Sequence, residues 1–440
     1  MSILLLTALL FCIMLGLLAL GLPIAFAMGG SALILGLATM GESSLYLLVT
    51  GILNNIRTIV LIAAPLFIFM GNVLQASGLA EDLYSAAQRW IGGLRGGLAI
   101  GTVLICTIFA ACTGISGAAT VTMGLIALPS MLNRGYDKSL AMGCVMAGGA
   151  LGVLIPPSLL FILYGFIAEE SVGRLFAGGV IPGVILSGLF IMYILVRCHL
   201  QPGFGPVVPR EERAGWTEKL VSLKTLALPI LLIAVVLGSI FGGFATPTEA
   251  AAIGALGALM ISAIYRRLTW ANLKSAFHQS LSLTAMVMWV VVGASAFIVI
   301  FTAGGGSELL RATLVQIKVH PIIIILCMQL TLFVLGCFMN PAGIILLTAP
   351  IYVPVVMDLG FSGVWFGVLV VVNMEMAYLT PPYGFNLFYM KGIVPKHITM
   401  LDIYRSAIPF VLIQAITLAL VILFPRLATL LPNFMFGPEL

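Results

Sequence analysis

FAACTGISGAATVTMG, residues 109–124, sets glycines and hydroxyls between two apolar runs. In a water-soluble core such a stretch reads as a loop. The surroundings argue otherwise. The chain has 440 residues, of which 61% are hydrophobic and only 8% charged. Its mean hydropathy is +1.20. A soluble chain of this length needs far more charge to cover its surface. Near-continuous apolar runs of about 20 residues mark transmembrane helices. They recur from Ile3 to the C-terminal region, so the whole chain reads as an all-α polytopic membrane protein. The run over residues 3–20 lacks a basic leader, and a second apolar span follows from Pro23. It therefore reads as a retained span rather than a signal peptide.

Several function classes fall away on composition. The net charge is +5, and the basic residues sit in short loops rather than one patch, so nucleic acid is not implied. The seven cysteines include no C-x-x-C and lie mostly in apolar runs; they read as small core residues, not as disulfides or metal ligands. The four histidines have no metal-ligand spacing. There is no Walker A sequence and no dinucleotide fingerprint, and GISGA does not meet the G-x-S-x-G pattern. No enzyme is expected.

The least apolar stretch, residues 197–224, divides the chain nearly in half. Its residues Arg197, Arg210, Arg213, Lys219 and Lys224 predict a cytoplasmic loop. Two spans later Arg266, Arg267 and Lys274 fall on the same side, as do Arg134 and Lys138 earlier and Lys391 and Lys396 later. The loop at Asp358 carries no Lys or Arg and falls outside, as do both termini.

The halves read as one unit repeated. An offset of 225 residues places Pro129 on Pro354, Gly135 on Gly360, Tyr164 on Tyr389, and Pro156-Pro157 on Pro381-Pro382. The charge pattern puts the first copy's short loop inside and the second copy's outside, so the repeats are inverted. The first covers residues 1–200, with a hairpin over about 97–132 and a broken helix over about 139–167. A central cytoplasmic loop follows over 201–222. The second repeat covers 223–440, with a hairpin over about 321–356 and a broken helix over about 363–390.

Residues 109–124 then form a turn within the membrane. If Arg95 and Arg134 share one side, the segment between them enters, turns and leaves. ACTGISGAAT is then the tip of a re-entrant hairpin, which is tolerated at membrane depth only where protein or a cavity surrounds it. Gly114 and Gly117 allow tight turning and close ligand approach; Thr113, Ser116 and Thr120 add hydroxyls. The second tip is GCFMNPAG, residues 336–343, with Gly336, Asn340 and Pro341. Each tip is matched by a helix interrupted at two prolines. The first break runs from Gly149 to Pro156, Pro157 and Ser158. The second runs from Ala377 through Thr380 to Pro381 and Pro382. Proline removes a donor and frees upstream carbonyls, which are hard oxygen ligands suited to Na⁺. Exposed half-helix N-termini attract carboxylates. Two tip-and-break pairs thus predict two ion sites flanking one anion site.

At these residues the sequence resembles the large membrane subunit of tripartite ATP-independent periplasmic (TRAP) transporters, the DctM-like family. The resemblance covers nearly the whole chain. It rests on APLFIFMGNVLQASGLAEDL (64–83), TGISGAATVTMG, GGALGVLIPPS, FGGFATPTEAAAIGA (241–255) and NMEMAYLTPPYGFNLF (373–388). It implies Na⁺-driven uptake of organic acids by an elevator mechanism in the bacterial inner membrane. It also implies a periplasmic binding protein that delivers substrate and a small four-helix membrane subunit on a separate chain. Two rivals stand beside it: a proton-coupled organic anion transporter of related fold, and a channel with two re-entrant loops.

Three further features carry expectations. Glu375, an acid in an apolar run, is either a coupling group or a structural hydrogen-bonding group. TPTE, residues 246–249, sets Thr246 and Glu249 as a capping box around a first-turn proline. Residues 79–95 form an interfacial helix, and 307–318 a second candidate arm beside a moving domain.

Overall fold

Glycine, proline and hydroxyl residues at or just past the cap stop most of the described helices, with Glu169 and Tyr265 among the exceptions; the apolar runs between them supply the lengths. The computed structural model describes residues 2–209, 211, 213–306, 308–309, 319–382 and 384–438. Nearly all of the candidate arm at 307–318 lies outside the described residues, as does Arg210.

Among the described residues the chain is helical throughout, without strands. The first helices are α1 (Ile3–Ala19), α2 (Ile24–Met40), α3 (Ser43–Ile56), α4 (Ala63–Ala76) and α5 (Leu79–Ile91). Then come α6 (Gly97–Thr113), α7 (Ser116–Asn133), α8 (Lys138–Ala150), α9 (Leu159–Ala168) and α10 (Val172–Leu200). The second half continues with α11 (Trp216–Phe241), α12 (Pro247–Ile264), α13 (Trp270–Ala303), α14 (Pro321–Gly336) and α15 (Pro341–Asp358). It closes with α16 (Gly363–Ala377), α17 (Phe385–Ile393), α18 (Met400–Leu423) and α19 (Arg426–Phe436).

Seven helical segments among the described residues are long and apolar enough to cross a bilayer: residues 59–76, α10, α11, α12, α13, α15 and α18. Most remaining apolar helices are shorter, and they do their work in pairs. α13 is the spine of one group, packing against α2, α3 and α4, while α12 packs on α4. Polar pairs join these helices: Asn55 Nδ2 donates to Ser295 Oγ, and Asn72 Nδ2 to Ser280 Oγ, each at 2.9 Å. Such bonds hold helices together where no water competes.

α10, at 1.5 Å per residue about 44 Å long, links two opposite ends of the second group. At its C-terminal end Cys198 packs on Gly96. There Gly96 N donates to Gly205 O at 2.9 Å, and Asp137 N to Phe204 O at 3.0 Å. At its N-terminal end Glu170 packs on Gly363, and Arg174 Nη2 donates to Phe436 O at 3.0 Å. Hairpin α6–α7 therefore opens at the C-terminal end of α10. Helix α15 runs from its tip to the other end, where Asp358 leads to Gly363.

Basic side chains gather at the C-terminal end of α10. Lys138 Nζ pairs with Asp402 Oδ1 at 2.8 Å. Lys391 Nζ donates to Ile398 O at 2.7 Å. Arg213 Nε donates to Val208 O at 3.0 Å, and Val208 N to Gly92 O, also 3.0 Å. On the spine group, Arg267 Nη1 lies 2.9 Å from Asp82 Oδ2 and donates to Ser77 O at 2.9 Å. Five cysteines are buried; Cys12 and Cys327 are exposed, and all seven are free thiols.

Candidate functional site

The first hairpin turns within two residues. Gly114 ends α6 in the left-handed region, with φ +64°, which glycine adopts without steric cost. Its N–H donates to Ala110 O at 2.9 Å. Ile115 is extended, and Ser116 opens α7 at once. The irregular stretch is therefore shorter than ACTGISGAAT suggests, because one left-handed residue suffices to reverse the chain. Thr113 remains helical, its hydroxyl donating to Phe109 O at 3.1 Å.

This tip sits on the first helix break. A short 3-10 turn over Leu151–Val153 follows α8, and α9 begins only after Pro156, Pro157 and Ser158. A Cβ on Gly114 would lie 2.5 Å from the Pro157 carbonyl oxygen. A Cβ on Gly152 would lie 3.1 Å from the Ile115 carbonyl. A Cβ on Gly149 would overlap the Thr120 hydroxyl and stand 2.9 Å from its backbone N. Glycine is thus required for backbone to meet backbone. Ser158 donates its hydroxyl to Val153 O across the break. The Thr120 hydroxyl is buried and has no hydrogen-bond partner among the described residues.

The second pair is built the same way but lies more open. Gly336 ends α14 against Ala377, whose Cβ occupies the space a side chain at 336 would need. Asn340 caps α15, its Oδ1 accepting from Ala342 N at 2.9 Å, and Pro341 fills the first helical position. α16 ends at Ala377. Thr380 donates to Met376 O at 2.8 Å just before Pro381 and Pro382. Both proline pairs carry a cis bond. Pro156 and Pro157 are buried, whereas Pro381 and Pro382 are exposed.

The two pairs are interleaved. α17 packs on α7, and α9 packs on α15. Ser116 Oγ donates to Asn386 Oδ1 at 2.9 Å, and Asn386 Nδ2 donates to Met146 O at 3.0 Å. Gly117 faces the Tyr389 ring, which a Cβ would approach to 2.7 Å. Three helix N-termini, those of α7, α9 and α17, therefore converge near Ser116. The C-termini of α6 and α8 end beside them. Partial positive charge at the former favours an anion, and carbonyls at the latter favour a cation.

The sequence pattern does not mark Asn386 as a site residue. Its signal is a lone amide in the apolar run after Gly384, with no local partner to reveal it. A second such amide is Asn373, whose Nδ2 donates to Gln329 O at 2.7 Å and Oε1 at 2.9 Å. Asn373 and Ala377 face α14. Glu375, between them in sequence, lies on the other side of α16, towards α18, where its carboxylate meets the Gln414 side chain and its backbone O accepts from Gln414 Nε2 at 3.4 Å. Glu375 is fully buried. Thr246 and Glu249 sit apart from both tips, at the N-terminus of α12. There Thr246 N donates to Glu249 Oε2 at 2.8 Å, and Glu249 N to Thr246 Oγ1 at 3.3 Å.

Comparison with known proteins agrees with this architecture. The chain is 32% identical to the C4-dicarboxylate TRAP transporter large permease protein DctM of Vibrio cholerae, over 98% of this chain and 99% of that protein. It is 33% identical to the isethionate TRAP transporter permease protein DctMQ of Oleidesulfovibrio alaskensis, over 88% of this chain and 60% of that longer protein. Among solved structures, the Alcanivorax borkumensis YdaH transporter superposes with a TM-score of 0.62 at 16% identity, covering 87% of this chain and 88% of that one. That likeness concerns the fold alone. The profile of the "Tripartite ATP-independent periplasmic transporter, DctM component" family matches residues 11–427. The chain therefore belongs to the DctM family of TRAP transporters, a family of multi-pass membrane permeases and not of enzymes.

Proposed function

We propose that this chain is the large permease of a Na⁺-coupled secondary transporter that imports an organic acid anion. One observation carries the reading: two hairpin tips meet two helix breaks, entered from opposite ends of α10 and bonded to each other through Ser116 and Asn386. Inverted repeats with discontinuous helices are the framework on which secondary transporters bind cargo near the midplane.

In this reading the backbone around Gly114 to Gly117 and Gly149 to Pro156 holds one Na⁺. The stretches from Gly336 to Asn340 and from Ala377 to Thr380 hold a second. Ser116, Ser158, Asn340 and Thr380 add side-chain oxygens, and the unpartnered Thr120 hydroxyl supports the first position. The converging N-termini of α7, α9 and α17 meet the carboxylate. Few cationic side chains stand nearby, so helix ends and bound Na⁺ carry the charge balance. The names of the Vibrio and Oleidesulfovibrio relatives both denote small organic anions, which fits this class of cargo.

The group holding the tips and breaks moves as an elevator against the α2, α3, α4, α12 and α13 group. A small four-helix membrane subunit on a separate chain extends the latter, and a periplasmic binding protein delivers the substrate. The assembly resides in the bacterial inner membrane with the basic end of α10 in the cytoplasm.

The test is uptake of labelled organic acid into proteoliposomes containing this chain and its small subunit. Flux is compared with and without an inward Na⁺ gradient and a cognate binding protein. Uptake that needs both is expected. Uptake indifferent to Na⁺ would overturn the ion assignment, and flux too fast for a conformational cycle would favour a channel. A proton-coupled reading is favoured by one observation, the fully buried carboxylate of Glu375. Na⁺-independent uptake abolished by Glu375→Gln would select it.

A further inference from the structure

At the basic end of α10 a cleft of about 400 Å³ opens between α5, Gly92 and Gly93, the residues Val208, Arg213 and Ala214, and the first turn of α11. Arg89, Arg213 and Lys219 line it. Among the described residues none of the three forms an ion pair. Glu218 also lines the cleft, but its carboxylate turns to its own helix end, where Oε2 accepts from Gly215 N at 3.1 Å. Two tryptophans frame the opening. Trp90 Nε1 donates to Lys219 O at 3.2 Å. The Trp90 and Trp216 rings meet edge to face at 6.3 Å, and Lys219 Nζ stands 5.4 Å above the Trp216 ring.

What lies next to the cleft decides the ligand. Trp216, Leu220 and Leu223, on the first turns of the membrane-spanning α11, are exposed; Trp216 meets the lining residue Trp90, Leu223 follows the lining residue Lys219 by one helical turn, and Leu220 follows Trp216 by one turn. A free phosphate or nucleotide has no use for that apolar wall. A phospholipid does: its headgroup phosphate sits at the level of interfacial tryptophans, and its acyl chains run along the helix below. We propose that this cleft binds an anionic phospholipid, with Arg89, Arg213 and Lys219 on the phosphodiester and the acyl chains against Leu220 and Leu223. The site ties α5 to the bilayer surface and to the start of α11, independently of which ion or cargo is transported.

The test is native mass spectrometry of the purified full chain titrated with phosphatidylglycerol or phosphatidylcholine, with inorganic phosphate as competitor. Phosphatidylglycerol is expected to remain bound where phosphatidylcholine is lost. Arg89→Gln, Arg213→Gln and Lys219→Gln should weaken it by about fivefold per removed charge. Equal retention of both lipids overturns the proposal, as does undiminished retention by the triple variant. Displacement by millimolar phosphate overturns it too, assigning the cleft to a free anion. A second measurement needs no charge variant. Brominated phosphatidylglycerol should quench tryptophan fluorescence more than brominated phosphatidylcholine, with the difference reduced in Trp216→Phe; equal quenching overturns the assignment.

Discussion

The Ser116 hydroxyl donates a hydrogen bond of 2.9 Å to Asn386 Oδ1, joining two fully buried residues 270 positions apart. Through Asn386 Nδ2 the link extends to Met146 O. One amide thus fastens the tip of α7, the interior of α8 and the start of α17. Replacing it with an apolar residue leaves a hydroxyl and a carbonyl without their partner. Asn386→Leu is expected to cost about 0.6–2 kcal/mol and to reduce uptake. Thermal melting in detergent and proteoliposome flux check this. Unchanged flux with lowered melting would assign the link to stability alone.

Two glycines should respond in opposite directions. Gly114 holds φ +64° and faces the Pro157 carbonyl, so Gly114→Ala carries the left-handed penalty of about 1–2 kcal/mol and forces the tip off the break. Gly188, inside α10, has nothing within 4 Å of an added Cβ. Gly188→Ala should be neutral or stabilise by up to about 1 kcal/mol. Melting temperatures of the two variants, measured side by side, test the sign.

Glu375 faces α18 rather than the second tip. With Na⁺ as coupling ion, Glu375→Gln should keep Na⁺-dependent uptake and should not lower the melting temperature, since the amide keeps the shape and removes a buried ionisable group. Uptake measured against imposed Na⁺ and pH gradients separates this outcome from proton coupling.

The α12 cap offers a control far from both tips. Thr246→Ala removes the hydroxyl that accepts from Glu249 N and should cost about 1 kcal/mol. Under the proposed Na⁺ coupling, the Na⁺ dependence of uptake should be unaffected. Loss of transport with intact melting would point instead to a partner contact at this corner.

The places where helices stop are legible in the sequence because they depend on local chemistry. Gly114 reverses the chain whatever surrounds it, and Pro341 and Pro381 act through their missing N–H groups. The polypeptide's membrane character is equally plain, since composition alone demands it. The interleaving of the pairs is not legible. Nothing near Asn386 announces Ser116 or Met146 as its partners, and Asn373 gives no hint of Gln329. The direction of Glu375 is likewise set by which helices flank α16, not by its own run. Nor does the 225-residue correspondence foretell that Pro156 and Pro157 are buried while Pro381 and Pro382 are exposed. Equal sequence motifs meet unequal neighbours.

The gathering of cations at one end of the molecule bears on how such a chain is made. Arg95, Arg134 with Lys138, Arg213 with Lys219, Arg266 with Arg267, and Lys391 lie in, or in the helix turns that flank, five separate connections at this end. Each connection emerges from the ribosome at a different time, and each carries its own retention signal. With that end in the cytoplasm, as proposed, the orientation is written redundantly, and an early hairpin that inserts wrongly meets four later segments that oppose the error. Removing the charge of any single connection should leave the insertion of the finished chain unchanged.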